Sequence, residues 1–172
     1  LKFIDEYAFF GCPFESFLIP YLVTRIGKNA FSKCSNLENI YFTEDSQLHF
    51  IDQYAFHNTA ITNISIPNEV TYIGEKAFSI CNKLQSVDFP ENSEYRSIPD
   101  KLFTGSSVKS ISIPSYVEEF KENWCYDASN IINFQINPDN KFFANYCDDF
   151  IVGKSDPESE IFDVIVFARR DI

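Results

Sequence analysis

The sequence predicts a solenoid of stacked coils built on parallel β-strands, and two observations carry that prediction. Six segments of one pattern follow one another from residue 4 to residue 136, opened by Ile4, Ile26, Ile51, Ile73, Ile98 and Phe120 at intervals of 22, 25, 22, 25 and 22 residues. Within them an Ala-Phe pair recurs in register as Ala8-Phe9, Ala30-Phe31, Ala55-Phe56 and Ala77-Phe78, with Leu102-Phe103 in the fifth. Repeats of this period are units that cannot bury an apolar face alone and use their neighbours as core. The alternation makes the natural unit a pair of coils totalling 47 residues.

Composition agrees with one packed domain. The 172 residues are 45% hydrophobic and include 19 phenylalanines, so an aromatic-rich core is expected and disorder is not. With 25 acidic against 14 basic groups the net charge is −11, and Lys and Arg are scattered singly except for Arg169-Arg170. Counterion-release binding needs clustered cations, so no nucleic-acid partner is expected. No run of about 18 apolar residues is present, so no membrane insertion is expected of this segment. Nor is there a basic-then-apolar leader. The lack of Met and a start at Leu1, in what reads as the tail of an earlier repeat, point to a fragment of a longer protein, whose other parts would carry targeting signals.

Each element follows from the template. The first position is apolar and packs inward. The segment after it, such as 27–33 or 74–80, is short, polar outside and apolar at Ala-Phe, which predicts a helical or 3₁₀ turn. A small residue comes next: Cys12, Cys34, Thr59, Cys81, Ser106 and Ala128 should form a column inside the stack. Strands are expected over 14–19, 37–42, 61–66, 84–89, 108–113 and 131–136, where alternation such as Ile64-Ser65-Ile66 puts one face inward. Pro20, Pro67, Pro90 and Pro114 then end the strands, where a missing N–H costs no ladder bond. Adjacent coils should lie about 4.8 Å apart. The apolar pairs Val23 with Ile26 and Val70 with Ile73 predict a second narrow strand in each coil.

The longer coils insert residues after the strand, and those insertions are acidic: Glu44 and Asp45, then Glu91 and Glu94. A solvated fringe on alternate coils is the expected reading, with a weak cation or basic-ligand site as the alternative. From Asn137 the template fails. There a hairpin of 149–153 with 161–169 is expected, across the polar run Lys154 to Glu160, as a variant repeat or cap over 137–172 that closes the repeats of 1–136.

The run Ile73-Gly74-Glu75-Lys76-Ala77-Phe78-Ser79-Ile80-Cys81-Asn82-Lys83-Leu84-Gln85-Ser86-Val87-Asp88-Phe89-Pro90 resembles the repeat of the BspA-type leucine-rich repeat family of surface antigens. The resemblance covers 4–136 directly, and 137–172 is similar to the family's hairpin-bearing variant units. It implies a right-handed leucine-rich-repeat solenoid, display at the cell surface or outside the cell, and adhesion or protein binding rather than catalysis. It brings no catalytic residues. The sixth unit departs from it, with Trp124-Cys125 in place of Ala-Phe and Asn137 between the strand and Pro138.

Catalytic and metal chemistry find no constellation in the sequence. His49 and His57 have no Ser or Cys partner held at a repeated position, and no CxxC or HxxxH spacing or Gly-rich phosphate loop occurs. No enzyme activity, cofactor or metal is expected. Cys12, Cys34 and Cys81 are read as buried free thiols, Cys34 and Cys81 being two coils apart and beyond disulfide reach. Cys125 and Cys147, outside that column, are the pair that has room to bridge. The column Phe9, Phe31, Phe56, Phe78 and Phe103 is read as core.

The one continuous surface is the outward face of the strands. Its candidate ligand-binding residues are Leu18, Tyr41, Ser65, Asp88, Ser112 and Gln135, with Glu38 flanking Tyr41. Beside them runs Ser16, Asn39, Asn63, Ser86, Ser110 and Asn133, either a ladder of small hydrogen-bonding side chains or a polar recognition face. Tyr41 is the foremost contact candidate, because Tyr is enriched at binding hot spots. The expected function is a non-catalytic surface adhesion module, monomeric, with a protein partner (a host or matrix protein, or another surface protein) favoured over a glycan. An intracellular scaffold and a spacer arm of a larger protein are the alternatives.

Overall fold

The computed structural model describes residues 1–89, 94–128, 130–146 and 150–168. Its strands in chain order are β1 (Phe3–Ile4), β2 (Ser16–Leu18), β3 (Arg25–Ile26), β4 (Asn39–Tyr41), β5 (Phe50–Ile51), β6 (Asn63–Ser65), β7 (Tyr72–Ile73), β8 (Ser86–Asp88), β9 (Ser97–Ile98), β10 (Ser110–Ile113), β11 (Glu119–Phe120), β12 (Asn133–Ile136), β13 (Phe143–Tyr146), β14 (Phe150–Gly153) and β15 (Val164–Ala168). Through β12 every pairing is parallel and joins equivalent strands of successive coils. The result is a leucine-rich-repeat solenoid of parallel strands. Even-numbered strands form one face and odd-numbered two-residue strands a second, narrower one.

The first position of each unit enters the narrow strand and points inward. Ile4, Ile26, Ile51, Ile73 and Ile98 are all at most 2% exposed. Three residues earlier stand Val23, Leu48, Val70, Tyr95 and Val117, equally buried. The valines that predicted this strand therefore lie in the turn before it, and the strand is the pair formed by the first position and the residue preceding it. The longer coils use Leu48 and Tyr95 here, and the Tyr95 ring stacks on Phe89 at 5.2 Å.

The expected helical or 3₁₀ turns are absent among the described residues, which contain no helix. Consecutive turns take their place. Ala8, Phe10 and Cys12 donate their amides back to Asp5, Tyr7 and Phe9, while the alternate amides of Tyr7, Phe9 and Gly11 donate sideways to Lys28, Ala30 and Ser32 of the next coil. A helix turns every amide back along its own axis and couples nothing to its neighbour; alternating the direction makes the turns a ladder between coils. The geometry needs positive φ at the fourth and eighth positions of every unit. Asn29, Asn58, Asn123, Asp127, Gly11 and Gly105 suit that region, whereas Tyr7, Lys33, Tyr54, Lys76, Ile80 and Lys101 occupy it against their preference.

Phenylalanine rings stack through the centre at 5.2, 5.4, 5.6 and 6.3 Å along Phe9, Phe31, Phe56, Phe78 and Phe103. Phe9, on the first coil, is the exception to the core reading: it is only half-buried, and Ala8 beside it is exposed. In the sixth unit Trp124 and Cys125 replace Ala-Phe, and Trp124 packs on Phe120, Phe134 and Phe167 at centroid distances of 5.0, 5.9 and 5.7 Å.

Beyond β12 the chain forms an antiparallel sheet in the order β13-β14-β15. Phe143 and Phe167 reach from it onto Phe120 and Phe134, at 4.7 and 4.6 Å. The expected hairpin strands are thus joined by a third, β13; Asp149 and Arg169, at the ends of those expected strands, lie outside the described residues.

Candidate functional site

The outward strand face is built by period-two alternation. Ile40 and Ile64 are buried at the middle of β4 and β6, so their neighbours point to solvent. The candidate residues stand in register as Leu18 opposite Tyr41, Ser65 opposite Asp88, and Ser112 opposite Gln135. Leu18 and Tyr41 are 57% and 53% exposed, which makes the first two coils the apolar end of an otherwise polar face. Between β4 and β6 the strand pairing lapses, so Tyr41 and Ser65 are not bonded neighbours in one sheet.

Two candidate residues have structural partners that spacing does not show. Glu38 Oε1 accepts from Lys83 Nζ at 2.7 Å across two coils, an ion pair with both side chains about half exposed. Ser112 Oγ accepts the backbone N–H of Phe89 at 3.1 Å and so extends the ladder between β8 and β10. In the adjacent Ser/Asn column, Ser86 donates to Asn63 at 2.8 Å and Asn133 to Ser110 at 3.4 Å. That column ties coils together at these two steps.

The small-residue column also does more than fill space. Cys34 Sγ donates to the carbonyl of Phe9 at 3.0 Å and Cys81 Sγ to that of Phe56 at 3.1 Å, each reaching back one coil. Burial pushes the Cys34 thiol up to about 11 and raises Cys81 as well, so both are held as thiols. Cys12 is a free thiol like these but only half-buried, on the first coil. The Cys125–Cys147 pairing involves Cys147, which lies outside the described residues.

Contrary to the expectation that His57 has no serine at a repeated position, Ser79 stands one repeat on at the same position of the template and is its partner. His57 Nδ1 lies 2.7 Å from Ser79 Oγ on the next coil. Ser79 is 2% exposed and donates to Lys76 O, so its hydroxyl is spent inside the turn ladder and faces no groove. Burial, and then the charge of Lys33, lower the His57 pKa. The other histidine bonds locally, His49 Nδ1 donating to Gln47 O at 2.7 Å. Among the described residues no group of three metal-ligating side chains converges. The acidic insertion of the second unit opens a groove of about 640 Å³ that includes Glu44, Asp45 and Glu69; Glu91 lies outside the described residues. No described helix is long and apolar enough to cross a membrane.

A second exposed column, which the sequence pattern did not single out, lies on the narrow sheet. Phe3, Arg25, Phe50 and Tyr72 occupy the outward position of β1, β3, β5 and β7 in register. Arg25 Nε donates to Asp52 Oδ2 at 2.7 Å, a bond that raises the Arg25 pKa, and the guanidinium lies 5.9 Å from the centre of the Phe50 ring.

The parallel coils, the stacked phenylalanines and the turn ladder repeat with one template, and the model of the BspA type leucine-rich repeat region matches six copies of it over residues 2–132. The chain belongs to this family. It is 25% identical to the pneumococcal vaccine antigen PcpA, with a TM-score of 0.76 over 81% of this chain and 34% of that one. The Treponema pallidum leucine-rich repeat protein gives 24% identity and a TM-score of 0.72 over 78% and 63% of the two chains. A leucine-rich repeat protein from Bacteroides ovatus gives 26% and 0.57 over 83% and 42%. The chain thus spans between about a third and just under two thirds of these proteins' lengths. No curated protein matches.

Proposed function

We propose that this repeat module is displayed at the cell surface and binds a protein partner through the outward face of β2, β4, β6, β8, β10 and β12. The observation that carries the reading is the side-by-side exposure of Leu18 and Tyr41 on paired strands. Two large side chains side by side on a backbone held by a ladder and bordered by polar residues suit a docking hot spot, since little backbone entropy remains to be lost on binding. Ser65, Asp88, Ser112 and Gln135 extend the face as its polar remainder, and Glu38 borders it through the ion pair to Lys83. Membership of the BspA-type family and likeness to a vaccine antigen support surface display. The same reading takes residues 137–172 as the cap of the stack, supported by the packing of Phe143 and Phe167 on the last coil.

The test is capture of purified extracellular-matrix and cell-surface proteins by the parent chain and by a Tyr41→Ala, Asp88→Ala double variant, with protease accessibility of the protein on intact native cells measured in parallel. The reading expects a partner that the parent captures and the double variant loses, and cleavage on intact cells. A panel without partners, equal capture by both chains, or complete protection inside the cell contradicts it.

A further inference from the structure

The narrow sheet carries a groove that the strand-face reading leaves unused. Along it Phe3, Phe50 and Tyr72 expose 60%, 43% and 49% of their surface, on coils whose pairing fixes them at the strand spacing of about 4.8 Å. Phe3 and Tyr72 border an open groove of about 580 Å³. Gly27 in its lining lets the first two coils approach closely, since a Cβ on it would lie 2.8 Å from the backbone of Asp5 and Glu6.

Size, charge and surface together select the occupant. A volume of this order suits a small ligand, and ten residues line it, where a standard protein interface engages roughly 20–30 on each side. Three carboxylates, those of Asp5, Glu6 and Asp52, face two cations, Arg25 and Lys28. Arg25 and Asp52 neutralise each other at 2.7 Å, which leaves Asp5 and Glu6 against Lys28, so the groove disfavours a polyanion and offers a polycation a single uncompensated carboxylate. The bonded guanidinium and carboxylate keep further N–H donors and lone pairs for hydroxyl groups. Exposed aromatic side chains beside such donors and acceptors match a ligand with flat apolar faces and a hydroxyl rim.

We infer that this groove binds a neutral oligosaccharide, about two to three sugar rings laid across the coils between Phe3 and Tyr72. The rings of the ligand lie against the aromatic faces, and Arg25 with Asp52 orients its hydroxyls.

The experiment is an NMR titration of the chain with maltopentaose, cellopentaose, xylopentaose and chitopentaose, with a heparin oligosaccharide and a chitosan oligomer as charged comparisons. A neutral saccharide is expected to shift groove resonances with a Kd below about 1 mM. Tyr72→Ala, Phe3→Ala and Asp52→Asn should each weaken it about tenfold while melting like the parent, and Tyr41→Ala should leave it unchanged, which separates this site from the strand face. The inference is overturned by silence of the groove to every neutral saccharide, by equal affinity in all three groove variants, by response to the charged oligomers alone, or by a protein partner lost on Tyr72→Ala when the sugars are silent.

Discussion

Cys81 hydrogen-bonds through its thiol to the carbonyl oxygen of Phe56 one coil earlier, at 3.1 Å, beside the Thr59 hydroxyl bonded to the same oxygen at 3.0 Å. The small column is therefore a set of ties between coils as well as a filler. Burial holds the thiols protonated in the folded chain, Cys34 up to about 11 against 9.0 for the ordinary group. Between those values the unfolded chain ionises and the folded one does not, so stability falls as pH rises through that window. Denaturant melts across alkaline pH should show the loss, and Cys34→Ala should reduce its slope, the raised Cys81 thiol keeping a share of it. Near neutral pH a thiol reagent should label Cys12 in the native chain, and Cys34 and Cys81 only on unfolding.

On the acid side the sign reverses for His57. Its folded pKa lies below 6.5, so the unfolded chain takes the proton first and stability falls as pH drops below that value. His57→Gln should reduce the acid-side slope of stability against pH; an unchanged slope would remove His57 from the account.

Stacking predicts the cost of truncating the ring column. Phe56 is fully buried between Phe31 and Phe78, nearly parallel to both. Phe56→Ala should cost about 3–5 kcal/mol in urea unfolding. A melt that overlays the parent would contradict the packing.

Backbone geometry predicts a gain as well as a loss. Ile80 is β-branched, 42% exposed and held at φ 57°, in the left-handed region. Replacement by Gly relieves that strain at little burial cost and should stabilise by about 0.5–1 kcal/mol. Gly74 is the converse: a Cβ there would lie 2.4 Å from the backbone nitrogen of Gln53. Gly74→Ala should therefore destabilise by about 1–3 kcal/mol, measured in the same unfolding assay.

The stack was legible in the sequence because its causes repeat. A buried Phe or Ile recurs at fixed spacing, and period-two alternation alone placed Leu18, Tyr41, Ser65, Asp88, Ser112 and Gln135 on one face. The turn ladder was not legible, because its signal is a backbone angle that Tyr7, Lys76 and Ile80 adopt against their own preference; only the Asn and Gly at the equivalent positions carry a trace of it. Contacts that skip along the stack were hidden for a different reason. Lys83 reaches Glu38 over 45 residues, past the coil between them, which no single repeat interval indicates, whereas Ser79 stands 22 residues after His57 at the same position of the template and was open to reading from the spacing. The aromatic column of Phe3, Phe50 and Tyr72 escaped because Arg25 interrupts it in the sequence pattern while completing it in space.

Hydroxyl-radical footprinting of the chain, alone and with a protein captured from the matrix panel, tests most directly whether the strand face is the docking surface. The account predicts that oxidation of Leu18 and Tyr41 falls on binding while that of Phe3 and Tyr72 is unchanged. Protection of Phe3 and Tyr72 with Leu18 and Tyr41 oxidised as in the free chain would contradict it.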